Sequence, residues 1–373
     1  MVPIRKAAPA PINALTNRRI MNRIVNTQIK RYTALFSLLF PAATHENLTE
    51  EFAQIDVEKG KIGMAPFVVV GGEPRYADSL NGSSYTVETP YISIKRPLEY
   101  STRLAARVAG GGVFMGNGQS GIMEAITRAI TKDADYMNTY IDNREEWLAS
   151  QILRGQVTYS EDGLASFVIN TGKPAENTYT VSNLWDGGSA EPEEDIGDAK
   201  RIIADKRGPQ PDVAICGANA AAALRSLQAS GAITSIKTTS GIDSGRGDLR
   251  QKIQDNGMIF LGRFSEVDFF EYLGKYIPDP NAADYVDATT EVPYIRDDYI
   301  EYLSTSQMAQ SMRTMFFGLI PSLKAIMAGT ANVSRYAASV EPTEERDYYT
   351  GIMKERPLPW FFRSDWYVSQ KVT

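Results

Sequence analysis

One cysteine, Cys216, and one histidine, His45, in 373 residues remove much of the chemistry that a protein of this size commonly carries. A lone thiol makes no internal disulfide, so the fold has no covalent framework and a reducing compartment is expected. Cys216 ends the apolar pattern "PDVAIC" and reads as a small buried hydrophobe, not a nucleophile. Triads, His-rich zinc sites and most proton shuttles need an imidazole. The only one available sits in "PAATHENLTEE", between turn-like and acidic residues, and reads as a surface histidine. Long apolar runs are also scarce. "TALFSLLFPAA", Thr33 to Ala43, is far shorter than the roughly 20 residues that cross a bilayer, and Pro41 interrupts it, so it reads as a packed amphipathic segment. No membrane or export address is visible, which leaves "NLT" at Asn47 and "RGD" at Arg246 as coincidences of sequence.

Acidic residues are absent from the first 45 positions, which carry Arg5, Lys6, Arg18, Arg19, Arg23, Lys30 and Arg31. That arm has a net charge of +7, and since the whole chain has −6, the remainder carries −13. A basic arm on an acidic body reads as an interaction tail for nucleic acid or an acidic protein surface, with Arg18, Arg19, Arg23, Lys30 and Arg31 as its candidate residues. Apolar residues at 43% and charged residues at 23% exclude disorder of the whole chain. Its length suggests two domains, or one with long appendages.

Residues 61 to 101 hold two strand-like runs, Phe67 to Val70 and a second that alternates Tyr85, Val87, Ile92 and Ile94, with polar "NGSS" between them. The pattern predicts a two-stranded ribbon with Pro90 and Pro97 near its ends. Such a ribbon is marginal alone in water and must lie on its own body or on a neighbour. Next comes "VFMGNGQSGIMEAITRAI", in which Gly116, Gly118 and Gly121 have the spacing of a dinucleotide-binding turn. The following residues argue against that reading. Ile122, Ile126, Ile130, Met137, Ile141, Leu148 and Ile152 keep to one helical face, and no Pro or Gly falls between Ile122 and Arg154. One helix from Gln119 to about Arg154 would be about 50 Å long. A nucleotide fold needs a second strand about 20 residues on, inside this helix. The glycines therefore allow close packing or bending where the helix begins, and Gly155 is its stop.

"QVTYSEDGLASFVIN", residues 156 to 170, reads as a hairpin. The acidic stretch Asp186 to Asp195 lacks the ordered spacing of a calcium loop and reads as a connector. From 196 to about 335, helix-like and strand-like segments alternate, including "PDVAICG", "ANAAAALRSLQASG" and "MIFLGRF", which predicts an α/β or α+β unit. The aromatic tail with Trp360, Phe361, Phe362, Trp366 and Tyr367 reads as strand and is expected to pair back with the hairpin region. No nucleophile elbow, HExxH motif or Walker loop occurs. Glu145 with Glu146 and Asp297 with Asp298 are adjacent, a spacing that does not turn two carboxylates toward each other on a helix. No catalytic, cofactor or metal site is expected. Two rival readings stay open: an α/β enzyme with a ligand at the helix N-terminus after "AICGANA", and another virion or tail structural protein.

In this order the elements, with "RYTALFSLLFP", "VETPYISIKRPLEYS", "DNREEWLASQILRGQVTY" and "PWFFRSDWYV", resemble the lambda-type major capsid proteins of tailed bacteriophages. The resemblance covers about residues 30 to 373 and implies the Hong Kong 97 (HK97-like) fold, of class α+β. It implies an N-terminal arm over 1–55 and an extended-loop ribbon over 56–104. A peripheral domain over 105–195 would contain the spine helix 119–154, an axial α/β domain would span 196–339, and C-terminal strands 340–373 would return to the peripheral domain. It further implies a self-assembling icosahedral shell of pentamers and hexamers around double-stranded DNA, held non-specifically. A scaffolding protein, a portal and a decoration protein would be partners, with no membrane involved. Arg75, Lys95, Arg96, Arg103 and Arg107 are then candidate contacts between subunits.

Overall fold

The computed structural model describes residues 34–59, 81–99, 119–160, 166–231, 233, 257–278, 290–320, 334–340 and 348–373. Outside them lie Arg18, Arg19, Arg23, Lys30 and Arg31 of the arm, Arg75, Arg103 and Arg107, and the strand expected at Phe67 to Val70.

The apolar run folds as a short helix, α1 (Ala34–Leu39), with Leu35 and Leu39 fully buried. After β1 (His45–Asn47), strands β2 (Phe52–Lys59) and β3 (Asn81–Glu88) pair antiparallel along their whole length. This is the ribbon, and its first strand begins at Phe52, ahead of the expected Asp56. Its second strand does not continue to Ile92 and Ile94. The chain turns at Thr89 to Tyr91, and β4 (Ile92–Glu99) joins a different sheet, where Ile92 and Ile94 pack with Met137 and Ile141. Alternating isoleucines need an apolar face to cover them, which a two-stranded ribbon does not offer.

The long periodic run is α2 (Gln119–Leu153), 35 residues, with Gly121 inside its first turn. It ends before Gly155, where φ is +90° and an added Cβ would come 2.5 Å from the Cβ of Lys173. Both the left-handed backbone and the close approach demand glycine. The hairpin β5 (Gln156–Ser160) and β6 (Ser166–Asn170) pairs only with itself among the described residues.

The second half begins with β7 (Thr178–Thr180) and α3 (Pro192–Asp205). Only the last four residues of the acidic connector, 192–195, belong to this helix. Pro192 occupies the first turn, and Glu193, Glu194 and Asp195 meet its positive end. Strand β8 (Val213–Cys216), helix α4 (Ala218–Ser230), and strands β9 (Ile259–Phe264), β10 (Val267–Glu271) and β13 (Tyr299–Leu303) follow, with short β11 (Lys275–Tyr276) and β12 (Val292–Pro293) between the last two. With β18 (Val368–Lys371) they form a six-stranded mixed sheet ordered β7-β18-β13-β8-β10-β9. Its residues alternate between two cores. Ala214, Phe269, Ile300 and Tyr302 pack with α3 and α4, while Val213, Ile215, Phe270 and Leu303 belong to the core that contains α1 and the C-terminal half of α2.

The tail does not pair with the β5–β6 hairpin. Strand β16 (Tyr348–Glu355) lies between β15 (Arg335–Val340) and β4; β17 (Pro357–Phe361) pairs with β14 (Arg313–Phe317), which also holds β1; and β18 enters the six-stranded sheet. Every residue of β17 is buried, and so are three of the four of β18, whereas Thr158 and Val168 on the hairpin face solvent. The aromatic strands need burial on both faces, and the small hairpin cannot supply it.

Candidate functional site

No described group of three or more His, Cys, Asp or Glu residues is placed to hold a metal. Cys216 is buried, and desolvation pushes its thiol pKa far above the ordinary value, with Glu271 adding to the rise, so the thiolate nucleophile is suppressed. At the start of α4, the Ala220 amide donates to the Asp297 carbonyl at 2.9 Å, so one of the amides at this helix end is taken by the chain's own backbone. His45 is not the surface histidine expected. It is half-buried, its Nε2 lies 3.0 Å from the Phe40 carbonyl, and its ring sits 5.6 Å from that of Phe36 and 5.4 Å from that of Phe317. Its position opening β1, beside the aromatic β14, overrides the polar sequence around it.

The chemistry of the chain lies instead in polar joints between elements. The first is Glu146, fully buried on α2. Its two carboxylate oxygens accept the Leu35 and Phe36 amides at 2.9 and 2.8 Å, which caps α1, and the Tyr272 hydroxyl donates to the same carboxylate. Burial, followed by the Glu146 charge, raises the pKa of that phenol, so Tyr272 stays a donor. One side chain thereby ties the N-terminal helix, the spine helix and the end of β10.

The second joint is Arg335, at the start of β15. It meets Asp142 at 2.8 Å, Glu145 at 3.2 Å and Glu355 at 3.4 Å, and donates to Asn138 Oδ1 at 2.8 Å. Burial alone would lower the pKa of this guanidinium, but the three carboxylates together raise it. The cluster fastens α2 to β15 and β16. Arg313, in contrast, is a buried guanidinium that donates to the Ser304 carbonyl and lies 5.5 Å from the Tyr367 ring.

At the third joint, the Lys173 ammonium donates to the Leu153 carbonyl, the C-terminal end of α2, at 2.8 Å and to Ser369 on β18 at 2.7 Å. Ser369 donates onward to Glu301, which pairs with Arg296 at 3.2 Å. The fourth is Arg356, between β16 and β17, whose guanidinium reaches Glu51 at 3.2 Å, Glu88 at 3.5 Å and the Thr89 carbonyl at 3.0 Å. None of these four joints was foreseen. Glu145 and Glu146 are adjacent but serve different partners, in keeping with the separation expected of neighbouring helical positions.

Two candidate contact residues are described. Lys95 is exposed on β4, opposite Ile352. Arg96 points the other way, pairs with Asp133 at 3.1 Å and covers the Tyr136 ring at 4.7 Å, so its charge is engaged within its own chain. Among the described residues no helix is long and apolar enough to cross a membrane.

A search of curated proteins finds no match. Among solved structures, a capsid protein assigned to a prophage of Escherichia coli CFT073 superposes with a TM-score of 0.68 at 17% identity, covering 96% of this chain and 99% of that one. A phage-related protein of Bordetella bronchiseptica RB50 superposes with a TM-score of 0.50 at 12% identity, covering 95% of this chain and 96% of that one. The fold is thus the Hong Kong 97 capsid fold, mixed α/β. The model of one family, described as phage major capsid protein E, matches residues 17–372. The enzyme and tail-protein readings give way to that match, and the chain belongs to the phage major capsid protein E family, whose members form the icosahedral head.

Proposed function

We propose that the chain builds the head shell as pentamers and hexamers in which the β2–β3 ribbon of each subunit lies over its neighbour. The observation that carries this is the pairing of the ribbon. Among the described residues β2 pairs only with β3 and β3 only with β2, and while Ala53 and Ile55 face the core, the opposite face exposes Phe52 at 48%. A two-stranded ladder of this kind gains stability by covering something else, and in a closed shell each subunit repeats that contact many times, so modest interfaces multiply.

In this reading residues 1–55 are an arm, 56–104 carry the ribbon, 105–195 with α2 form a peripheral domain joined by strands from 340–373, and 196–339 form an axial domain around the five-fold and six-fold axes. The face of the six-stranded sheet that packs under α3 and α4 supports an axial unit, to which β7 and β18 are both lent from outside 196–339, while the opposite face shares the core of α1 and α2. Lys95 is the better placed of the two described contact candidates, because Arg96 is already paired. Arg75, Arg103 and Arg107 remain proposals of the same kind. The basic arm, through Arg18, Arg19, Arg23, Lys30 and Arg31, would meet packaged double-stranded DNA or a scaffolding protein. A portal and a decoration protein complete the partners proposed for the head.

The test is negative-stain electron microscopy with light scattering on the purified chain, expressed alone and with a scaffolding protein encoded beside it. Shells, pentamers or hexamers are expected. A monomer or dimer in both preparations would remove the capsomer reading.

A further inference from the structure

We propose that the root of the ribbon is a breakable lock, in which Arg356 holds both ribbon strands and Thr89 seats in a slot kept open by Gly318. Arg356 is 3% exposed and is partnered along its whole guanidinium. Its Nε and Nη2 donate to the Thr89 carbonyl at 3.2 and 3.0 Å, and its Nη1 donates to the Leu319 carbonyl at 3.5 Å and pairs with Glu51. Glu51 immediately precedes β2 and Glu88 ends β3, so a single cation grips the two strands where they leave the body.

Beneath it, the Thr89 hydroxyl and amide both donate to the Glu51 carbonyl, at 2.8 and 3.1 Å, and close the base of the ribbon. The Thr89 side chain fills the space above Gly318, where an added Cβ would fall 2.1 Å from Thr89 Oγ1. The Leu319 amide donates to the Glu50 carbonyl at 2.9 Å, and the Leu48 amide to the Phe317 carbonyl at 2.8 Å. The root is therefore bound to the chain that continues β14, Ala53 and Ile55 pack into the core and Tyr85 meets the Trp360 ring, while beyond these residues the described part of the ribbon pairs only with itself. That is the layout of a lever with a fixed fulcrum.

The two halves of the lock differ in their exposure to solvent. The carbonyl contacts and the slot are buried, whereas the Glu51 and Glu88 side chains are 41% and 68% exposed. Ions reach the carboxylate half and screen it. The lock thus has a permanent part, which sets the direction of the ribbon, and a part that the ionic surroundings loosen. Its consequence for the shell rests on the reading that the ribbon covers a neighbour.

The experiment uses the unassembled full-length subunit and reads amide hydrogen exchange at the ribbon root, Ala53, Ile55, Val87 and Thr89, with α2 as internal reference. Glu51→Gln with Glu88→Gln is expected to speed root exchange roughly two- to fivefold, the range of exposed ion pairs, without changing α2. Raising salt to about 1 M, where the Debye length is only ~3 Å, is expected to do the same to the unmodified chain and to leave the double variant unaltered. Gly318→Ala, which touches no charge, is expected to loosen the root while keeping the salt response. Salt-independent root exchange in the unmodified chain, or equal acceleration in α2, would overturn the lock. If the root responds as expected but the thiol of Phe52→Cys reacts with a maleimide as fast in assembled shells as in the free subunit, the lock stands and the neighbour-covering reading falls.

Discussion

Adjacent positions on a helix point about 100° apart, and Glu145 and Glu146 use that angle to serve two different joints. Glu146 accepts two backbone amides and a phenol, so its removal strands three buried donors. Glu146→Ala is expected to destabilise the unassembled subunit by about 3–5 kcal/mol, and Glu146→Gln, which keeps one carbonyl acceptor, by about 2 kcal/mol, read by urea denaturation. Lys173 makes a prediction in pH. Burial, the largest cause, together with Arg296 lowers its pKa from 10.5 to about 8 against the opposing pull of Glu301. The unfolded chain then binds more protons between those two values, so this residue makes stability rise from about pH 8 to 10.5. Melting temperatures across that window are expected to climb less steeply in Lys173→Met. None of these polar roles could be read from the sequence, because hydropathy ranks a buried Glu beside a solvated one; only its neighbours in space separate them.

Among the elements, the spine helix was the most legible. Its apolar spacing and the Gly155 stop gave both ends, since a helix is defined by residues close in sequence. What it packs against was not legible. Arg335 lies far along the chain from Asp142 and Glu145, and its removal leaves three carboxylates buried without their cation. Arg335→Met is expected to cost about 3–5 kcal/mol, measured by chemical denaturation, and to separate β15 and β16 from α2. The ribbon was legible in part. The alternation of Ala53, Ile55 and Val57 in "FAQIDVEK" marks β2 at period two, a signal obscured by the polar residues between. Strand pairing, by contrast, is decided by which apolar face is free, and so β4 left the ribbon for α2. The β9–β10 turn offers a gain in stability. Ser265 and Glu266 both have positive φ, 45° and 67°, in a two-residue connection where Asn-Gly is favoured. Ser265→Asn with Glu266→Gly is expected to raise stability by about 1 kcal/mol, seen as a higher melting temperature.

On the scale of the whole molecule, the tail visits three sheets in turn. Strand β18 sits between β7 and β13, so its removal opens the six-stranded sheet in its interior, not at an edge. Deletion of residues 368–373 is expected to abolish cooperative thermal unfolding by calorimetry, where a truncation at a sheet edge would lower its midpoint only. The resemblance to capsid proteins was carried by the order of the elements, whereas the joints between them join residues far apart in the chain and became visible only in three dimensions. The interior position of β18 also has a consequence in time. The sheet joins strands drawn from Thr178 to Lys371, and contacts between residues so far apart in sequence form slowly. During synthesis, the ribbon and spine helix emerge well before the strand that closes this sheet, so completion of the fold waits for residue 371 and early chains cannot present a finished subunit to the growing shell.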